Sequence, residues 1–207
     1  MLGKRMTLRD RGSMTTAPTQ PRRGRPTTIT RERIVDAGIE MGLPDLTFVG
    51  LAARIGVSHM ALYKHVPNLE ALKLIVADGI FLRWDMPAPQ GETLEHYLAA
   101  FSASLRELVR LHPGLAFYMI RRKANMPAMI DRIRAHHVEV ATAYGIAPEQ
   151  AGRILSTVAF HCVALADTVY STATQHDQST TAQADMPDFE AEFAYGMEAL
   201  IFGLLHK

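Results

Sequence analysis

A chain of 207 residues that is 48 % hydrophobic and 21 % charged has the balance of a soluble globular protein with a sizeable core, not of a disordered one. Its one cysteine, Cys162, excludes an intramolecular disulfide framework and a Cys-rich zinc site. The net charge of +1 hides a split. Met1 to Arg33 carries nine Lys or Arg against two acidic residues, and the remaining 174 residues carry thirteen against nineteen. A basic arm suited to a polyanion therefore precedes a mildly acidic body, although a solvated tail has the same composition.

Residues 1–28 hold Pro18, Pro21, Pro26, Gly12 and Gly24 among Thr and Arg, which reads as a disordered basic arm. Met6 and Met14 are alternative starts, so the first residues take no part in the fold reasoning. The N-terminus has no apolar stretch for a signal peptide, and the compartment expected is cytoplasmic. Thr30 then caps a first helix with Ile34, Ala37, Gly38 and Met41 on one face, stopped by Gly42 and Pro44. Thr47 caps a second with Leu51, Ala52 and Ile55 inward, ending at Gly56. Ser58 caps a third with Leu62 and Val66 inward, ending before Pro67. Asn68 opens a fourth that runs through Leu72, Ile75 and Ile80 to Trp84.

Pro87 and Pro89 punctuate the chain and place a domain boundary in Asp85 to Gly91. Longer helices are predicted over Glu92 to Leu111, Pro113 to Arg121, Pro127 to Tyr144, Pro148 to Thr174 and Pro187 to Leu205, with a polar loop from Gln175 to Met186. Proline at or near a first turn costs nothing there. Ile154 to Ala173 is poor in charge but contains His161 and Asp167, so a buried helix is expected and no membrane contact. No alternating strand pattern or internal repeat occurs. The fold class is all-α.

The informative stretch is LTFVGLAARIGVSHMALYKHVPNLEAL, Leu46 to Leu72. A short helix, a Gly-Val turn, a Ser cap and a second short helix form the layout of a helix-turn-helix. Gly56 allows the positive φ of a tight turn, Val57 can pack between the helices, and Ala52 lets them approach. The third helix offers His59, Met60, Ala61, Tyr63, Lys64 and His65 outward, and such helices enter the major groove N-terminal end first. His59, Met60 and Ala61 then face base edges.

Ile34 to Leu72 resembles the DNA-binding domain of the tetracycline-repressor (TetR) family, through IVDAGIEMG, LAARIGVS, ALYKHV and the EAL that opens the fourth helix. The resemblance implies backbone contacts from Tyr63 and His65, a phosphate contact from Thr47, and base reading by His59, Met60 and Ala61 beside the capping Ser58 and Lys64. It departs at Leu69, where the family commonly has a Lys; Lys64, Lys73 or the arm would compensate. The implied architecture is an N-terminal three-helix domain joined by the fourth helix (29–84) to a helical ligand-binding and dimerisation domain (85–207). In the arm, Arg22, Arg23 and Arg25 on a Gly-Pro backbone suit a narrow A·T-rich minor groove, with plain electrostatic tethering as the alternative.

Two late segments look made for a partner. Pro148 to Thr174 has few charges and many small residues. The last helix repeats Phe193, Met197, Leu200 and Leu204, with Gly203 permitting close approach. In the resembled family these two helices pair with their copies, giving the two-fold symmetry a palindromic operator needs. An apolar effector pocket is expected from Trp84, Phe101, Phe117 and Tyr118, with His137, His161 and Asp167 as its polar groups; at helical spacing such apolar residues more often belong to an ordinary core. Trp84, just past the fourth helix, would report on ligand.

No phosphate loop, nucleophile elbow or zinc motif supports an enzyme, and no cofactor is expected. His136, His137, His161 and Cys162 offer a metal sensor only weakly, since adjacent helical residues point about 100° apart. The reading is a ligand-released repressor that binds double-stranded operator DNA as a homodimer. A ligand-independent regulator or activator is the alternative.

Overall fold

The computed structural model describes residues 29–121, 126–175 and 186–206. Among these, nine helices and no strand occur: α1 (Arg31–Met41), α2 (Phe48–Ile55), α3 (His59–Tyr63), α4 (Leu69–Arg83), α5 (Leu94–Leu111), α6 (Leu115–Arg121), α7 (Pro127–Tyr144), α8 (Pro148–Gln175) and α9 (Met186–Leu205). The arm expected over residues 1–28, with Arg22, Arg23 and Arg25, lies outside the described residues, as does 176–185 of the expected loop.

Side chains read from the sequence as caps do start the helices. The hydroxyl oxygens of Thr30, Thr47 and Ser58 accept from the amides of Arg33, Gly50 and Ala61, and Asn68 Oδ1 accepts from Ala71 at 2.8 Å. Each satisfies one of the orphan donors of a first turn. The same physics moves two expected boundaries. α5 begins at Leu94 because Thr93 is its cap, and α6 begins at Leu115, after Gly114 turns the chain at φ 82°. α3 is shorter than expected, ending at Tyr63 with Lys64 as its cap. Gly56 closes α2 at φ 72°, ψ 35°, a left-handed conformation in which a Cβ is strained.

Leu51, Leu62 and Leu72 meet at the centre of the first three helices and α4, fully enclosed. α4 packs on α1 along one side and on α6 and α7 along the other. The α1–α4 crossing is a reciprocal fit. A Cβ on Gly38 would stand 2.3 Å from Val76 Cγ2, and one on Gly79 would stand 2.4 Å from Val35 Cγ1. Each helix thus presents a glycine notch to the other's valine, and any added side chain there overpacks the contact.

Ion pairs from α1 to α4, Arg31 to Asp78 at 2.5 Å and Arg83 to Asp36 at 2.6 Å, flank this crossing. Asp78 is buried and its Oδ1 has no partner, so losing Arg31 would strand a buried charge at a cost of about 3–5 kcal/mol. α1 and α4 are therefore held together as one body.

Beyond α4, helices α5, α7 and α8 close around Tyr97, Leu98, Leu105, Leu155 and Val158. The buried apolar cluster continues through α4 into the first three helices. α8 lays Ala151, Leu155, Val158, Cys162 and Ala166 on this core, at the helical spacing of an inward stripe. By length and composition alone, Pro148–Tyr170 is apolar enough to cross a membrane. One stripe of it is buried against α5 and α7, while Phe160 and Leu165 remain exposed.

Candidate nucleic-acid interface and apolar cavity

The turn between α2 and α3 sets the outer face of the helix-turn-helix. Leu62 is the anchor, with no exposed surface, and Val57 packs half-buried against the core. Arg33 of α1 donates to the carbonyl of Ile55 at 2.6 Å, tying the end of α2 to α1. With Leu62 inward, Thr47, Ser58, His59, Met60, Tyr63, Lys64 and His65 are exposed and Ala61 is half-buried. Met60 is 62 % exposed, an apolar side chain in the open that its own fold does not use. Tyr63 has two roles. Its ring stacks on Phe48 of α2 (centroids 4.0 Å, 6° between planes), yet the residue stays 44 % exposed. The stack fixes the angle between α2 and α3 while leaving an edge to solvent.

A cavity of about 70 Å³ lies behind the last turns of α4. Phe81 of α4 and Trp84 at its C-cap, Phe101 of α5, Met129 and Ile133 of α7, and Leu155 of α8 form much of its wall. His136, His137 and Ser156 are its polar groups, and no Asp, Glu, Lys or Arg is among its lining residues. Trp84 is held by its indole N–H, which donates to Ser104 Oγ at 2.9 Å. His136 is buried, with Nε2 2.7 Å from the Tyr97 hydroxyl. That hydroxyl also reaches the Pro87 carbonyl at 3.2 Å, and Nδ1 lies 3.5 Å from the Glu139 carboxylate. Burial pulls the His136 pKa below its ordinary value; Glu139 opposes this and Arg132 adds to it. Burial likewise raises the Tyr97 phenol. His137 lies against α8 where Gly152 makes room: a Cβ there would be 3.1 Å from its Nδ1.

The expected pocket residues divide. Trp84, Phe101 and His137 line the cavity; the others do not. Phe117 is exposed beneath the Arg121 guanidinium, 4.2 Å from ring centre to Cζ. Tyr118 is buried but faces Glu70 at the start of α4, and burial, then that carboxylate, raise its pKa. His161 is exposed and bonded back to the Thr157 carbonyl at 2.8 Å. Asp167 lies a turn past Val163, the last α8 residue of the wall, and burial raises its pKa. The cause is helical rotation: at about 100° per step, Met119, Ile120, Phe160 and Val163 come to the wall, and Phe117, Tyr118, His161 and Asp167 turn off it. Residue type alone does not distinguish such neighbours along α6 and α8; direction does. Leu155, Ser156, Ala159 and Val163 repeat at helical spacing, a signal present in the sequence. Among the described residues no group of three His, Cys, Asp or Glu is placed to hold a metal ion.

The expected partner face of α9 also divides. Phe193 and Met197 are buried with Ile201 in the chain's own core, Phe193 beneath the Arg106 guanidinium at 4.7 Å. They are not surface residues. Leu200 and Leu204 are half-buried, and Gly203 is exposed with nothing near a Cβ. The outward apolar residues are Tyr195 and Phe202 of α9 and Phe160 and Leu165 of α8. α9 is apolar on two faces, and the sequence pattern merged them into one stripe.

An exposed third helix on a helix-turn-helix, joined through α4 to a helical body with an apolar cavity, defines the fold class. The chain has the fold of the TetR regulators. TetR-Q116A from Acinetobacter baumannii, solved with minocycline, matches with a TM-score of 0.68 at 21% identity, over 85% of this chain and 96% of that one. The TetR family protein ActR of Streptomyces coelicolor, solved with (S)-DNPA, matches with a TM-score of 0.67 at 23% identity, over 86% and 98%. In sequence, the chain is 33% identical over 119 residues to the HTH-type transcriptional repressor DrrR1 of Streptomyces coeruleorubidus, covering 54% of this chain and 43% of that protein. It is 26% identical over 119 residues to an HTH-type transcriptional regulator of Saccharopolyspora erythraea, covering 56% and 50%. The chain spans about half the length of the curated relatives it matches. No family model matches it.

Proposed function

We propose that this protein is a cytoplasmic DNA-binding transcriptional regulator, acting as a homodimer on a palindromic operator and released by a small, largely apolar effector. The observation that carries the reading is that one helix, α4, is locked to the helix-turn-helix through α1 and supplies Phe81 and Trp84 to the cavity wall. A ligand that moves this wall moves the reading head. Residues 29–84 are the DNA-binding unit and 85–207 the sensing and dimerising unit. His59, Met60 and Ala61 face base edges; Thr47, Ser58, Tyr63, Lys64 and His65 meet the backbone. Repression is the sense that the DrrR1 name supports.

The lining narrows the effector. An ion would have to shed its water among apolar side chains with no fixed opposite charge, which is costly. The aromatic rings and the thioethers of Met86, Met119 and Met129 favour a ring-bearing ligand. His136, His137 and Ser156 ask for one polar edge. The effector class is a neutral aromatic molecule with a hydrogen-bonding edge. Solved neighbours of the same fold hold minocycline and actinorhodin.

Selection of bound duplexes from a random pool tests the DNA-binding claim. The wild type is expected to enrich a two-fold symmetric sequence. Tyr63→Ala should then weaken binding to every sequence, while His59→Ala changes the base preferred, because phosphate contacts position and base contacts specify. Tyr63→Phe keeps the Phe48 stack and isolates the hydroxyl. No enrichment, or unchanged affinity in both alanine variants, contradicts the assignment.

A further inference from the structure

α4 ends against a single cation. Arg132 of α7 donates through Nη1 to the carbonyls of Phe81 (2.9 Å) and Leu82 (2.5 Å), and through Nη2 to that of Trp84 (2.5 Å). The last carbonyls of a helix carry its negative end; here that of Phe81 also accepts from the Trp84 amide at 3.2 Å, and that of Trp84 from the Met86 amide at 3.0 Å. A planar guanidinium with several forked donors is the side chain able to answer three of them together. Two of the three carbonyls belong to Phe81 and Trp84, whose side chains form one wall of the cavity; Leu82 does not line it. On α7, Arg132 stands between Met129 and Ile133 and one turn before His136, which form the facing wall. The latch therefore spans the two walls.

The space between those walls is about 70 Å³, whereas a cavity of about 150 Å³ is what holds a benzene ring in a protein interior. Ligand pockets commonly exceed about 300 Å³. Any effector of the proposed class must part the walls, and parting α4 from α7 stretches the bonds that Arg132 makes. We infer that Arg132 is the positioning residue that holds α4 in its DNA-competent pose, and that effector entry works by breaking its grip on the α4 terminus. This rests on the ligand-responsive reading above. The consequence is specific: without the guanidinium, α4 samples the displaced pose with no ligand present.

The test needs no effector. The dimer is spin-labelled through Val49→Cys, on the exposed surface of α2; native Cys162 is buried, its thiol pushed up to about 12, and is spared. Distances between the two labels, affinity for the selected DNA and the thermal midpoint are read in wild type, Arg132→Met and Arg132→Lys. Arg132→Met keeps the apolar stem and loses the forked donors. It should weaken DNA binding about tenfold, within the usual range of allosteric coupling, with a second inter-label distance and a nearly unchanged midpoint. Arg132→Lys, a point donor, should fall between, and keeps the test open if the Met variant does not fold. Unchanged DNA affinity and a single distance in the variants overturn the latch. So does a loss of affinity matched by a lowered midpoint with one unchanged distance, the signature of plain destabilisation. A wild type that yields no inter-label distance fails as a dimer, and overturns the underlying reading together with the latch.

Discussion

Gly203→Glu is expected to turn the proposed dimer into monomers and to abolish high-affinity operator binding. The position isolates the partner face. Gly203 is exposed near the end of α9, and a Cβ there meets nothing of its own chain, so the folded monomer tolerates the side chain. Against a second copy the same carboxylate is buried unpaired, at a cost of about 3–5 kcal/mol, and two-fold symmetry applies it twice. Tyr195 and Phe202 beside it, 76 % and 56 % exposed, are the apolar surface that the interface would cover. Leu200→Glu should act in the same direction, with some added loss of fold stability because Leu200 already packs half-buried on the core. A monomer reaches one half-site and loses the effective concentration that links the two. That linkage is worth about 10²–10⁴ in affinity. Sedimentation gives the first half of the result and fluorescence anisotropy on the selected DNA the second. An intact dimer in both variants places the interface elsewhere.

Deleting residues 1–26 is the other change with a large expected effect. It removes Arg22, Arg23 and Arg25 from each subunit, hence at least six cations per dimer. Each phosphate neutralised contributes about 0.9 to the slope of log affinity against log salt. The slope should therefore flatten by about five, so that affinity varies roughly a thousandfold less between 50 and 200 mM salt. A lost preference for A·T-rich flanks would mark minor-groove insertion, and an unchanged preference electrostatic tethering. An unaltered slope shows the arm to be inert.

What the sequence made legible was local chemistry. Thr30, Thr47, Ser58 and Asn68 are short polar side chains that compete for backbone amides, and each starts a helix where expected. Gly42, Gly56 and Gly145 stop helices at positive φ, and Pro127 and Pro148 open them. These signals act within a turn, so one sequence suffices to read them. The helix-turn-helix is built almost wholly of such signals, which is why its outward residues were identifiable.

The cavity and the partner face were not legible in the same way, because they depend on which side of each helix meets which neighbour. Phe117 and Tyr118 have the chemistry of pocket residues, but Met119 and Ile120 one or two steps on have the direction. Phe193 and Met197 have the chemistry of an interface and belong to the core. Arg132 gave no signal at all: its partners are carbonyls about fifty residues away. Nor did the Gly38–Val76 and Gly79–Val35 notches, which exist only once α1 and α4 cross.

If effector and operator compete through α4, each must weaken the other by the same factor. The chain's one tryptophan, Trp84, stands in the cavity wall, so its quenching selects a ligand from a panel of neutral aromatics. 2-Hydroxybenzophenone, too twisted to slip between base pairs, is the first. The selected ligand is titrated by calorimetry with and without the selected operator. DNA is expected to weaken the ligand by the same factor as ligand weakens DNA. A factor of about a hundred corresponds to about 2.7 kcal/mol of difference between the two poses. Equal ligand affinities in the two titrations would contradict it, and leave a DNA-binding protein that does not respond to what fills its cavity.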